Sequence, residues 1–145
     1  LLRLGFSCIE LSLECKDKDI QAMLTGFKER YGFEAPVMVY LYGKRRLMIM
    51  NHCVVNTALK DGQRKNCALC HRHSFYLKGK DQKEYLLEGD AKCHMCIFEK
   101  EAWNDLDKIA YYKQLGIQNF HLFFLREDAL KKAKILKEFQ AGVQE

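Results

Sequence analysis

Two Cys-x-x-Cys pairs, Cys67-Ala-Leu-Cys70 and Cys93-His-Met-Cys96, stand 22 residues apart in the middle of the chain and constrain its fold more than any other feature. A Cys-x-x-Cys turn folds the backbone back so that two sulfurs face one point, and two such turns supply the four sulfurs of a tetrahedral site. Between them, "FYLKGKDQKEYLL" (75–87) has the strand–turn–strand pattern of a β-hairpin. Two thiolate pairs flanking a hairpin form the pattern of a zinc ribbon, so residues 51–100 are expected to be a cysteine-rich metal-binding insert. Cys53, reached through "MIMNHCVVN", is a fifth candidate ligand.

The remaining cysteines, Cys8 and Cys15, stand on or beside the first predicted strand and are expected to pack in the core. His52, His71, His73 and His94 neighbour the clustered cysteines. With enough thiolates at hand, they are expected at the surface or hydrogen-bonded around the ligands rather than on the metal. His121, within an apolar strand, is expected to be a hydrogen-bonded core residue.

An odd set of seven cysteines, five of them clustered, favours metal thiolates in a reducing compartment over a disulfide framework. No stretch approaches the ~20 apolar residues of a membrane span, and the first residues carry no secretory signal pattern. A cytoplasmic protein without a membrane partner is the expectation. The formal charge of +5 is compatible with an anionic partner such as RNA and equally with an ordinary solvated surface.

Along the chain, "FSCIELSL" (6–13) is rich in strand formers. Ile20, Met23, Leu24, Phe27 and Tyr31 then recur at helical spacing up to Gly32, and "APVMVYLYG" (35–43) is apolar nearly throughout, as a buried parallel strand is. This is a β-α-β unit. After the cysteines, Asn104 starts a helix ending at Leu115-Gly116, "IQNFHLFFL" (117–125) gives a third buried strand, and Asp128 starts a last helix bearing Leu130, Ala133, Leu136 and Phe139.

The stretches "RLGFSCIELSLE" and "QLGIQNFHLFFLRE" share Leu-Gly, a strand, and an acidic residue at the strand end. One βα unit thus occurs twice, and repetition of such units builds β/α barrels. The helix before Leu115-Gly116 has no counterpart before Leu4-Gly5, and the chain starts without methionine. Residues 1–145 are therefore expected to form one α/β domain cut from a longer chain, the C-terminal portion of a β/α-barrel-like domain, whose missing N-terminal part would be its first partner. A free-standing α/β domain with a metal insert is the alternative.

Hydrolase patterns are missing: the chain has no G-x-S-x-G elbow, no H-E-x-x-H helix and no Gly-rich phosphate loop. Its aromatic residues alternate with apolar ones as in core strands, without forming a stacking platform for nucleic acid.

The run "VMVYLYGKRRLMIMNHCVVN", then "NCALC", the hairpin, "CHMCIFEKE" and "YYKQLGIQNFHLFFLRED" resembles the C-terminal half of the catalytic region of peptidase family U-thirty-two, over most of the chain. The matching residues are Tyr42, Gly43, Leu47, Met48 and Cys53, then Cys67 or Cys70, then Cys93 and Cys96. The chain departs from the family's pattern at Gly79-Lys80 and Phe98-Glu99. The resemblance implies a bacterial protein with a barrel-like α/β core. The family name implies a collagenase-like peptidase. Other relatives imply an iron–sulfur enzyme that hydroxylates RNA or a small aromatic quinone precursor without molecular oxygen, with four cysteines holding a 4Fe–4S cluster. Drawn from Cys53, Cys67, Cys70, Cys93 and Cys96, such a set leaves Cys67 or Cys70 spare. A structural Zn2+ module is the alternative to the redox centre, and it needs only the four Cys-x-x-Cys sulfurs.

Overall fold

The structure is a computed structural model and describes residues 4–60 and 69–144. Cys67 and the side chain of His71 lie outside what it describes. The chain forms two compact units. One combines residues 1–43 with 103–145 and is called here the α/β unit. The other, residues 44–102, is the cysteine unit and contains the predicted insert.

In the α/β unit the central strand is β2 (Val37–Gly43), after the short β1 (Ile9–Glu10) and the helix α1 (Asp17–Tyr31). Val37 and Met38 pair with β1 in parallel, and Met38–Tyr42 pair in parallel with β8 (Asn119–Leu122). The two-residue strand β7 (Trp103–Asn104) runs antiparallel to Tyr42 and Gly43. β1 and β8, the two Leu-Gly-strand segments, thus flank β2 on opposite edges. Gly5 and Gly116 before them share a left-handed backbone, with φ of 87° and 85°, a conformation that L side chains rarely adopt.

The first strand is shorter than its apolar run predicts, because a turn closes from Ser12 to Cys15, whose N–H reaches the Ser12 carbonyl. Cys15 is exposed and Cys8 half-buried, so neither is the core residue expected. α1 carries Asp17 and Asp19 in its first turn and ends at Gly32, whose N–H donates to the Lys28 carbonyl. The helix expected from Asn104 is a 3-10 turn, Leu106–Lys108, leading into α4 (Ile109–Gln114), and the last helix is α5 (Ala129–Gln144). Ile20 and Leu24 of α1, Val39 and Leu41 of β2, and Ile109, Tyr112 and Ile117 form the core.

The cysteine unit has its own antiparallel sheet, in the order β3 (Arg46–Met50), β6 (Met95–Glu99), β5 (Glu84–Gly89), β4 (Phe75–Lys78). The predicted hairpin is β4–β5, in register from Phe75↔Leu87 to Lys78↔Glu84. Two short helices, α2 (Val54–Lys60) and α3 (Leu69–Arg72), accompany it. One core cluster contains Cys53, Val55, Leu87, Met95 and Ile97, with Met50, Leu69, Phe75 and Cys93 packed against it. The architecture is mixed α/β. Among the described residues neither sheet closes into a barrel, and no helix is long and apolar enough to cross a membrane.

Candidate metal centre

Cys53 stands at the start of α2 and is buried. Its carbonyl accepts the Thr57 N–H at 3.1 Å and the Thr57 hydroxyl at 3.2 Å, and its sulfur accepts the Asn56 N–H at 3.4 Å. Asn56, three residues on and therefore on the same side of the helix, is only 4% exposed. Among the described residues its Oδ1 has no hydrogen-bond partner. A buried amide oxygen left without a hydrogen-bond donor costs about 1–3 kcal/mol, which a donor from outside the described residues or a bound cation would offset.

Cys70, on α3, is also buried. Its Sγ occupies the space a side chain at Gly89 would need, 2.9 Å from where that Cβ would stand, with Met95 Sδ 3.3 Å from the same point. Met95 belongs to the cluster that contains Cys53, so Cys53, Cys70 and Cys93 each pack on or beside that cluster.

Cys93 is presented by a turn held by one aspartate. Asp90 Oδ1 accepts the N–H groups of Lys92 (2.8 Å) and His94 (2.9 Å), and Asp90 Oδ2 lies 2.8 Å from His94 Nδ1. The hydrogen bond from His94 holds the Asp90 carboxyl below its usual range. Cys93 itself takes a left-handed backbone, φ 61°. Cys96 pairs with Ile49 on one side and Glu88 on the other. Strand alternation puts it on the face opposite Met95 and Ile97.

Among the described residues no three His, Cys, Asp or Glu side chains come together closely enough to hold a metal ion. Cys67 lies outside them. The described cysteines form no disulfide with one another. The donor chemistry fits a thiolate-bound metal: Cys53 lies in the small core with Cys93 packed against it, Cys70 is buried beside Gly89 and Met95, and Cys96 lies on the other face of the strand that carries Met95.

The described histidines have partners other than the thiols. His52 Nε2 meets the Thr57 hydroxyl at 3.1 Å, His94 serves the Asp90 turn, and His73 stacks edge-on with Phe75. His121 is half-buried, with Nδ1 2.6 Å from Glu10 Oε1, on the sheet face that also carries Tyr40. It is hydrogen-bonded as predicted, though not fully buried. Since a carboxylate only accepts, Nδ1 carries the proton. Sequence reasoning missed Asn56, for which the one available signal is its place one helical turn after Cys53, and it missed Glu10, 111 residues from its partner.

Charge separates the two units. The cysteine unit holds twelve Lys and Arg against seven Asp and Glu, hence the whole formal +5, and the α/β unit holds twelve of each. Part of the excess is committed within the unit: Arg45 makes two hydrogen bonds to Glu99 at 2.6 and 2.7 Å, Lys100 meets Glu84 at 2.7 Å, and Lys44 donates to the Lys100 carbonyl.

Compared with protein-family models, with curated proteins and with solved structures, the chain matches none.

Proposed function

We propose that the chain is the C-terminal portion of the barrel-like catalytic region of a peptidase family U-thirty-two protein, and that its cysteine unit holds a 4Fe–4S cluster. In this reading the enzyme carries out oxygen-independent hydroxylation of RNA or a small aromatic substrate. The observation that carries it is the burial of Cys53 and Cys70, the first in a small core with Cys93 packed against it and the second beside Met95 of that core. Cys53, Cys93, Cys96 and one or both of Cys67 and Cys70 would hold the cluster, which when bound would take up and pass on the electrons that hydroxylation removes from the substrate. The chain's own part is to keep water away from Cys53 and Cys70, to donate the Asn56 N–H to the Cys53 sulfur, and to hold Cys93 on the Asp90 turn. The positive charge concentrated in the same unit favours an anionic substrate such as RNA.

A structural Zn2+ module is the second reading, favoured by the small core of the cysteine unit, in which two of the eight buried hydrophobic side chains among the described residues, Cys53 and Cys70, are thiols. One preparation separates the two. Purified without oxygen, the full-length protein should be brown, contain iron and acid-labile sulfide, and bleach on Cys53→Ser. A colourless protein with one zinc per chain and no sulfide would sink the redox reading in favour of the module.

A further inference from the structure

The α/β unit contains a cavity of about 330 Å3, at the lower end of the range for small-molecule sites. It lies where one edge of β2 changes partner. Leu11, just past β1, donates its N–H to the Met38 carbonyl, and Asp105, just past β7, donates its N–H to the Leu41 carbonyl. Over Val39 and Tyr40 between them neither β1 nor β7 pairs, and the loop that follows β1 lines the gap. The carboxyl end of a strand leading into a helix is where α/β sheets place their ligands.

The walls combine an apolar part with an unbalanced charge. Leu11, Leu13, Ile20 and Trp103 supply the apolar surface. Lys108 lies 3.2 Å from Asp17 Oδ2 and 3.1 Å from Asp105 Oδ2, and Tyr112 donates its hydroxyl to Asp17 Oδ1 at 3.0 Å. One ammonium between two carboxylates leaves one negative charge. Both Asp17 oxygens are engaged, whereas among the described residues Asp105 has only Oδ2 on Lys108, leaving Oδ1 for a ligand. At neutral pH this network keeps its charge: the hydrogen bond to Asp105 holds Lys108 above its ordinary range, and burial, then Asp17, pushes the Tyr112 phenol up. Glu14 and Lys16, both exposed in the lining, offset each other.

We infer that this cavity binds a small primary amine with an apolar body about the size of one ring, its ammonium on Asp105 and its ring against Trp103 and Leu13. An anion would face the surplus negative charge, and a neutral ring would leave that charge unmatched. An ammonium satisfies Asp105 Oδ1 through a charge-assisted hydrogen bond, while the indole adds an attractive aromatic face. The site is independent of the metal centre and stands whichever metal the cysteines take.

Trp103 is the chain's single tryptophan, so its fluorescence reports on this cavity alone. Titrating the full chain with phenethylamine should shift that emission saturably. The dissociation constant should be about tenfold or more tighter than for 2-phenylethanol, which has the same shape without charge, and 3-phenylpropanoate should not bind. Asp105→Asn should weaken the amine about tenfold with the circular dichroism spectrum unchanged, and 0.5 M salt should weaken the native protein's binding. If Asp105→Asn fails to fold, the salt series and the amine-to-alcohol ratio decide. Equal affinity for amine and alcohol, tighter binding of the carboxylate, or no saturation at millimolar amine would each overturn the proposal.

Discussion

The two units of this chain reach stability by different means. The α/β unit is electrically neutral, buries a core of aliphatic side chains and one tyrosine under a parallel sheet, and clamps α1 to α4 through Asp17, Lys108 and Tyr112. The cysteine unit carries all of the net charge, includes a thiol in its small core, and buries an amide oxygen that has no donor among the described residues. Concentrated charge and an orphaned polar atom both weaken a fold, and only in the cysteine unit would bound metal and an anionic partner offset them. Sequence alone separates the two, because cysteines and positive charge crowd into the same 59 residues.

The strongest way to break this contrast is to remove a proposed metal ligand. Thiolate binding of zinc supplies on the order of 10 kcal/mol in small domains that depend on it. Cys93→Ser should therefore abolish amide-exchange protection across β4, β5 and β6 while leaving β2 and β8 protected. Cys15→Ser, at an exposed position, should change neither. Full protection of β5 in the Cys93→Ser protein would show that the unit stands without a metal. In the opposite direction, Leu41 is fully buried in the α/β unit, and Leu41→Ala should cost that unit about 2–5 kcal/mol. Denaturant unfolding followed at Trp103 reads that loss. Metal affinity measured by chelator competition should stay within about twofold of native, and a parallel loss would mean that the units do not stabilise themselves separately.

The sequence made the elements with strong periodicity legible: β2 from its unbroken apolar run, α1 from its spacing and the closing Gly32, and the β4–β5 hairpin from its turn. Twice-used Leu-Gly-strand segments were legible as two parallel strands, although not as the two edges of one central strand. What stayed hidden depends on residues brought together from a distance. Asp17 meets Lys108 and Tyr112 across 91 and 95 residues, and Glu10 meets His121 across 111. No local pattern encodes such pairs. Strand length was overestimated at β1 because hydrophobicity marks what a segment prefers, whereas the Ser12–Cys15 turn ends the pairing. The cysteine spacing marked the thiols as candidate ligands without showing that strand alternation turns Cys96 away from Met95.

A smaller effect sharpens the contrast within the cysteine unit. Asn56→Leu preserves side-chain size and removes the orphaned oxygen, so it should stabilise the metal-free protein by about 1–3 kcal/mol. If that oxygen serves the bound centre, the same substitution should weaken cobalt or zinc binding and shift the cobalt–thiolate absorption bands. A variant more stable without metal and unchanged in its binding and spectrum would make Asn56 a packing residue only. Asn56→Asp, which keeps the acceptor, should retain more of the native affinity than the leucine variant.

The smallest effect concerns alkaline pH and belongs to the α/β unit. Lys108 titrates above its ordinary value of 10.5 because of its hydrogen bonds to Asp105 and Asp17, with burial opposing them. Tyr112 titrates above 10.0, chiefly through burial and then through Asp17. Both groups are shifted upward, so the stability linked to them is fully present below about pH 10 and is lost as the pH rises through their folded-state values. Lys108 is about one-third exposed, which keeps its share small. Urea midpoints read at Trp103 should therefore fall from pH 9 to pH 11 in the native chain and fall less steeply in Lys108→Met, since that variant has no ammonium to lose. Tyr112→Phe should flatten the slope further, because burial opposes ionisation of the phenol in the folded state alone. Identical slopes in all three proteins would mean that the Asp17–Lys108–Tyr112 clamp is not what ties this unit's stability to pH.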